Sequence, residues 1–334
     1  MTGFNSIEGH RRPIEILRRA LAAGQPHHAY LFAGPEGIGK SLVAQAFSRA
    51  INCVGEAHLQ QDCCGKCTHC LRAIEGNHPD IRLIRPDTSK ARPVIRIEVV
   101  RDLLHQVHFK PYEARRRVII LDDAEAMTEE AANAMLKTLE EPTGETLFIL
   151  VTSRPRQLLP TIISRCQPMR FSALPRSSVK DHLEMTGLDA DTARLCAAFS
   201  GGSIGVGKAL ASEGVLEARR ALIEDVARLS SSDVLGVFEL ASRHAKSGSD
   251  NLQSSLESLK TFYRDVALTR CGADSDRVVN VDLRPLVEET SAQLTVDGAI
   301  GHIRKIDAVQ SDLRAYVDAH LLLEDLFFSL ASGR

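Results

Sequence analysis

An α/β nucleotide-binding domain followed by two helical regions is the fold class this chain predicts, on three observations. Short apolar runs with strand character alternate with helix-like segments through the first half. A complete G-x-x-x-x-G-K-S stretch, Gly34 to Ser41, lies between one such strand and one such helix. Beyond about Pro175 only helical periodicity remains. Alternation of this kind favours a parallel sheet covered by helices, with ligands bound outside the carboxyl ends of the strands.

A helix is expected at about Arg12 to Ala23 and a buried strand at His28 to Phe32, because Ala29-Tyr30-Leu31-Phe32 is an unbroken apolar run. Gly34, Pro35, Glu36, Gly37, Ile38, Gly39, Lys40 and Ser41 then form the phosphate loop. In such a loop backbone N–H groups cradle nucleotide phosphates, the lysine reaches the β and γ phosphates, and the serine hydroxyl holds Mg²⁺. A helix at about Lys40 to Asn52 completes the strand, loop and helix order that the chemistry requires. Further along, Asp80 to Ile84 reads as a strand, Val94 to Phe109 contains a helix, and Arg117 to Leu121 is a strand. A helix at Glu129 to Glu140 and a strand at Thr146 to Thr152 follow. Thr128 can cap that helix, Glu129 and Glu130 suit its N-terminal end, and Pro142 enforces a stop.

The strand Val118-Ile119-Ile120-Leu121 runs into two carboxylates, Asp122 and Asp123. Asp122 is expected beside the Mg²⁺ shell, as a direct or water-mediated ligand, with strand-end capping as the structural alternative. Asp123 is the candidate for activating water. It is one methylene shorter than glutamate, and a displacement of about 1 Å costs on the order of 100-fold in rate, so orienting water or pairing with a neighbouring chain are equally open roles. Thr152 ends its strand as a candidate sensor of the γ phosphate or as an ordinary satisfied hydroxyl.

The first domain is expected to span 1–171. A small helical lid with a Gly201-Gly202-Ser203 break should occupy 172–210, and a helical bundle 211–334. In the last third, Ala218 to Ser230, Asp233 to Lys246, Asn251 to Thr269 and Ala299 to Leu323 carry apolar residues at helical spacing, with connections at Ser247 to Asp250 and Cys271 to Asp276. A bundle without a reactive constellation suits packing or assembly.

Composition narrows the function classes. With 334 residues, 44% of them hydrophobic, the chain can bury a substantial core. No stretch approaches the roughly 20 apolar residues of a membrane span and no secretory pattern opens the chain, so a cytoplasmic address is expected. The formal net charge of -2 and the absence of Trp argue against a protein that coats nucleic acid or stacks single-stranded bases by itself. Arg115-Arg116-Arg117, Arg154 and Arg156 are local clusters that could form a basic face in an assembly, against the plainer reading of a solvated segment.

Five of the eight cysteines fall between Cys53 and Cys70, a metal-binding pattern and not a secreted disulfide framework. Cys64, Cys67 and Cys70 are evenly spaced; with Cys53 they make a four-thiolate Zn²⁺ site that is closed and therefore structural. Cys63 could compete for the place of Cys64, and His58 or His69 could make a Cys/His mixture. Cys166, Cys196 and Cys271 stand alone, as small apolar side chains do.

Beyond the phosphate loop, His28-Ala29-Tyr30-Leu31-Phe32-Ala33-Gly34-Pro35, the four-cysteine insertion, Ala131 to Pro142, and Ile163-Ser164-Arg165-Cys166 together resemble the bacterial clamp-loader subunits of the AAA+ superfamily, in particular the delta-prime type of DNA polymerase III, related to gamma/tau. The resemblance is strong to about Gly207 and weaker beyond. It implies an AAA+ domain, a lid and a C-terminal collar, in a machine with gamma/tau and delta subunits that opens a sliding clamp and places it on primer-template DNA. It implies that Arg165 projects into a neighbouring subunit's ATP site, where a cation stabilises phosphoryl charge, against the plainer reading of a surface salt bridge. ATP or ADP with Mg²⁺ is compatible with Lys40 and Ser41. Motor relatives carry an arginine two residues beyond the lid Gly-Gly-Ser, whereas this chain has Gly205; with Asp123, this points to weak or absent intrinsic ATPase. A gamma/tau-type motor and a separate AAA+ DNA-remodelling module are the alternatives, and no polymerase active site is expected.

Overall fold

The computed structural model describes residues 3–56, 61–87, 93–142, 145–212, 214–230, 232–245, 249–274, 277–314 and 318–332. His58 and parts of the expected connections near 247 and 275 lie outside them. The chain divides into two compact units, 1–178 with 203–205, and 179–202 with 206–334.

The first unit is built on five parallel strands: β1 (Ala29–Ala33), β2 (Ile81–Ile84), β3 (Arg117–Leu121), β4 (Thr146–Thr152) and β5 (Gln167–Arg170). Their order is β2-β3-β4-β1-β5, with Ala33 opposite Thr152 and Leu121 opposite Leu150. Side chains alternate between the faces. Tyr30, Phe32, Val118, Ile120 and Ile149 join one core with Leu17 of α1 (Arg11–Ala22) and Val43 and Phe47 of α2 (Lys40–Asn52). Leu31, Ile119, Leu121 and Leu150 join the other, against α4 (Ile97–Val107) and α5 (Glu129–Glu140); α3 (Thr68–Glu75) belongs to the cysteine-rich insertion. The expected strands and helices of this region appear within about three residues of their expected ends, and α5 starts where its cap predicts. Thr128 Oγ1 accepts from Ala131 N at 3.2 Å.

A short helix, α6 (Pro160–Ile163), and β5 were not legible in the sequence. β5 reads Gln-Pro-Met-Arg, without alternation. Pro168 is accommodated because β5 lies at the sheet edge, where a missing N–H costs no ladder bond.

Buried polar groups fix the chain before β3. Asp80, 1% exposed, accepts from the backbone N–H groups of Tyr112, Glu113 and Ala114 at 2.8, 2.9 and 3.0 Å. Asn52, at the end of α2, donates to Arg116 O and accepts from Arg116 N, both at 3.0 Å. Arg117 turns inward and donates to Phe109 O, Lys110 O and Asp80, so only Arg115 and Arg116 of the expected basic run face outward, Arg116 in part.

Helices α7 (Arg176–Met185), α8 (Ala190–Phe199) and α9 (Ile204–Leu210) cover the expected lid segment. The bundle comprises α10 (Val215–Arg228), α11 (Val234–Ala245), α12 (Ser249–Arg270), α13 (Arg284–Gln293), α14 (Val296–Arg314) and α15 (Ala319–Ser332). The apolar run from Ala299 to Leu323 is thus shared by α14 and α15. Leu259, Phe262, Ile306, Leu326 and Phe327 centre one continuous core. Among the described residues no helix is long and apolar enough to cross a membrane.

Candidate nucleotide site and metal centre

The phosphate loop leaves the carboxyl end of β1, and Gly34 N donates to Thr152 O at 3.3 Å, placing the loop beside the end of β4. Gly37 and Gly39 have φ of 68° and 100°, a region where glycine carries no Cβ penalty. Lys40, the first residue of α2, is 6% exposed and its amine donates to Gly34 O at 2.8 Å and Pro35 O at 2.6 Å. Ser41 Oγ donates to Asp122 Oδ2 at 2.9 Å. Two residues 81 positions apart are therefore brought to one point, the pair expected to hold Mg²⁺. Arg85 lies 3.6 Å from the same carboxylate.

Four carboxylates crowd this corner. Burial pushes the Lys40 amine down from its usual range, against the pull of Glu125, Asp123, Asp122 and Glu36. Desolvation, with the charges of Asp122, Glu125 and Glu36, pushes Asp123 up. Its backbone is left-handed, φ 50° and ψ 55°, as it turns the chain out of β3. Glu125 was not singled out from the sequence. Its Oε1 accepts from Ser153 N at 3.0 Å, Ser153 Oγ at 2.8 Å and Arg154 N at 3.1 Å. Burial alone would raise the Glu125 carboxyl; the neighbouring Thr152 hydroxyl and the Ser153 donors outweigh it and hold the group below its usual range. Thr152 itself is fully buried, and its Oγ1 accepts from Arg154 N at 3.0 Å.

Beside the loop, a cavity of about 730 Å³ is lined by His10, Pro13, Met169, Ser172 and Leu174 among others. His10 Nε2 donates to Ile38 O at 2.7 Å, tying that wall to the phosphate loop. Gly9, with φ 72° in the left-handed region that favours glycine, packs against the Leu174 side chain in this wall. Gly205 offers no charge, and its backbone approaches the loop itself: a Cβ would stand 3.1 Å from Gly37 O.

Arg165 lies between α6 and β5, away from the phosphate loop in sequence and in element. It forms an ion pair with Glu140 at the end of α5, and its Nη1 donates to Thr161 O at 2.9 Å and Ser164 Oγ at 3.3 Å. The guanidinium is half-buried and pre-set by three partners. Glu140 belongs to the Ala131 to Pro142 segment, and its pairing with Arg165 is not legible in the sequence, because spatial adjacency of α5 and α6 is a tertiary fact.

The sulfur atoms of Cys53, Cys64, Cys67 and Cys70 lie within 4.8 Å of one another, as the spacing predicted. Backbone N–H groups point at them: Cys64 N is 3.3 Å from Cys53 Sγ, and Lys66 N and Cys67 N are 3.4 and 3.2 Å from Cys64 Sγ. Gly65, φ 67°, makes this turn, and a Cβ on Gly55 would strike Cys64 Sγ at 2.7 Å. Although burial opposes it, these N–H donors hold the Cys64 thiol down to about 6, while burial pushes Cys53 up to about 12. Four converging sulfurs with oriented donors fit a closed metal site. Cys63 is buried outside this foursome. His69 also points elsewhere: its Nδ1 is 2.9 Å from His78 Nε2. His69, His78 and Glu113 form a second compatible group, but Arg72 donates to both Glu113 oxygens at 2.7 Å and already supplies a positive charge there.

Residues 9–175 match the family described as DNA polymerase III, delta subunit, and residues 213–331 match its C-terminal counterpart. This chain belongs to the delta/delta'–tau/gamma clamp-loader family of the AAA+ superfamily. Among its clamp-loader relatives, DNA polymerase III subunit delta' of Bacillus subtilis is 27% identical over 96% of both chains. Subunit delta' of Pseudomonas aeruginosa is 37% identical over 61% of this chain and 62% of that one. Subunit tau/gamma of Haemophilus influenzae is 35% identical over 54% of this chain and 25% of the relative. As in the reading from sequence, the AAA+ core carries a metal-binding insertion and is followed by a helical C-terminal region. Within this clamp-loader chain, Asp122-Asp123-Ala124-Glu125 offered a visible signal for Glu125, a third acid just past an apolar strand.

Proposed function

We propose that this chain is a delta-prime-type clamp-loader subunit: a stator with weak or absent intrinsic ATPase that donates Arg165 to the ATP site of a neighbouring subunit. The observation that carries this reading is the end-to-end alignment with a delta' subunit, over 96% of both chains, against about half of this chain for the tau/gamma relative. On this reading the partners are gamma/tau and delta subunits, with the sliding clamp and primer-template DNA in the assembled machine, and the three-part division at 171 and 210 describes an AAA+ domain, a lid and a collar. The four thiols hold structural Zn²⁺.

Gly34 to Ser41 would cradle the nucleotide phosphates, with Ser41 and Asp122 holding Mg²⁺, which supplies charge neutralisation between phosphate oxygens when bound. The cavity beside His10 has room for a nucleoside. Two features support weak hydrolysis here: at the lid position where motor relatives carry an arginine this chain has Gly205, which brings no charge to the loop, and Asp123 is a short carboxylate crowded by others. Arg165 needs no site in its own chain. A guanidinium delivered from outside stabilises phosphoryl charge in the transition state, and such groups contribute on the order of 10³-fold or more.

Primer-template-stimulated ATP turnover of the reconstituted loader tests this reading, with each substitution confined to this subunit. Arg165→Ala is expected to lower turnover at least about tenfold with assembly intact, and Lys40→Ala to leave it nearly unchanged. The reverse pattern would transfer the assignment to a motor subunit.

A further inference from the structure

We infer that Glu125 sets the phosphate-loop pocket to hold a nucleoside diphosphate in preference to a triphosphate. The inference rests on the nucleotide-binding reading above and concerns what that same pocket retains.

Three donors just past the carboxyl end of β4 are all spent on one carboxylate. Ser153 N, Ser153 Oγ and Arg154 N converge on Glu125 Oε1 within 3.1 Å. Groups of this kind, oriented N–H and O–H donors beside a phosphate loop, are what an additional phosphate would use. Here a built-in anion already uses them. The other oxygen, Glu125 Oε2, is buried and accepts no hydrogen bond among the described residues, while the neighbouring Thr152 hydroxyl joins the Ser153 donors in favouring the ionised carboxylate. An unpartnered carboxylate oxygen is costly where water is excluded, and it repels a second anion far more strongly than it would in solvent.

Glu125 sits close to where phosphates would bind. Gly34, the first residue of the loop, bonds to Thr152 O, one residue before the donors that hold Glu125. Glu125 also heads the carboxylates that act on the Lys40 amine, ahead of Asp123, Asp122 and Glu36. Lys40 is thus the loop's own cation among four acidic groups, with Arg85, 3.6 Å from Asp122, as the other positive charge beside them. Mg²⁺ on Ser41 and Asp122 offsets two charges for either nucleotide, whereas a triphosphate brings one more negative charge than a diphosphate and directs it at the occupied end of β4. Strand-end clamping alone, the plain structural role for Glu125, predicts no discrimination between the two ligands.

The test is equilibrium binding of Mg²⁺–ADP and Mg²⁺–ATP to the full chain, wild type and Glu125→Gln. The glutamine keeps an acceptor for the same donors and removes the charge. Wild type is expected to bind ADP at least about tenfold more tightly than ATP, and Glu125→Gln to narrow that ratio to within about threefold by a gain in ATP affinity. Equal affinities in wild type, or an unchanged ratio in a folded Glu125→Gln protein, would overturn the inference and leave nucleotide binding standing. Binding of neither nucleotide to either protein would overturn both. The wild-type ratio is decisive even where the variant folds poorly.

Discussion

Two acidic settings in this molecule, one fully buried and one at the edge of the phosphate loop, have opposite logic. In the bundle, Asp265 is fully buried on α12, and its Oδ2 accepts from Val279 N, Asn280 N and Asn280 Nδ2 at 2.8, 2.8 and 2.6 Å while Arg264 lies 2.8 Å from its Oδ1. Asn280 in turn bonds to buried Arg219, which pairs with Asp282 at 2.9 Å. Each carboxylate of this network has an arginine beside it, although Nε of Arg219 and of Arg264 is left without an acceptor. At the strand ends, Asp122, Asp123, Glu125 and Glu36 outnumber the cations that face them, Lys40 and, 3.6 Å from Asp122, Arg85. Charge matched within a network contributes to stability, whereas an excess of one sign is charge that a ligand or cation can balance, which is how a structural region and a binding region built from the same residue types differ.

Breaking the metal centre should have the largest effect, because binding free energy in a structural site is folding free energy. Cys67→Ser is expected to bring bound zinc, measured by atomic absorption, from one per chain to near zero and to expose the 53–70 insertion to protease. Full zinc retention would remove Cys67 from the ligand set. Next comes the comparison itself. Asp265→Ala should cost about 3–5 kcal/mol in denaturant unfolding, since three donors and an arginine lose a buried partner. Asp123→Asn should leave the melting temperature unchanged or raise it, because a carboxyl whose pKa is pushed up in the folded state is easier to accommodate neutral. A comparable loss in both variants would erase the distinction drawn here. The smallest effect belongs to Thr128→Ala, which removes the cap of α5 and should cost about 1 kcal/mol without changing nucleotide affinity. A cost several times larger would mean that α5 depends on Thr128 for more than its cap.

The sequence by itself determined much of this protein. The phosphate loop, the carboxylates after Leu121, the Thr128 cap and the four-cysteine spacing are local patterns, so their geometry follows from neighbours a few residues apart or from simple periodicity. The β1, β3 and β4 strands are buried on both faces and announce themselves as continuous apolar runs. Only the tertiary structure decided the rest. β5 is a strand because β1 offers it an edge, Arg117 is buried because Asp80 and the carbonyls of Phe109 and Lys110 wait for it, and Glu140 meets Arg165 because α5 packs beside α6. Cys64 belongs to the metal cluster and Cys63 does not, and the turn at Gly65 brings the N–H groups of Lys66 and Cys67 onto the Cys64 sulfur. In each case the partner is distant in the chain, or the direction of a side chain is set by the backbone around it, and one-dimensional spacing carries neither.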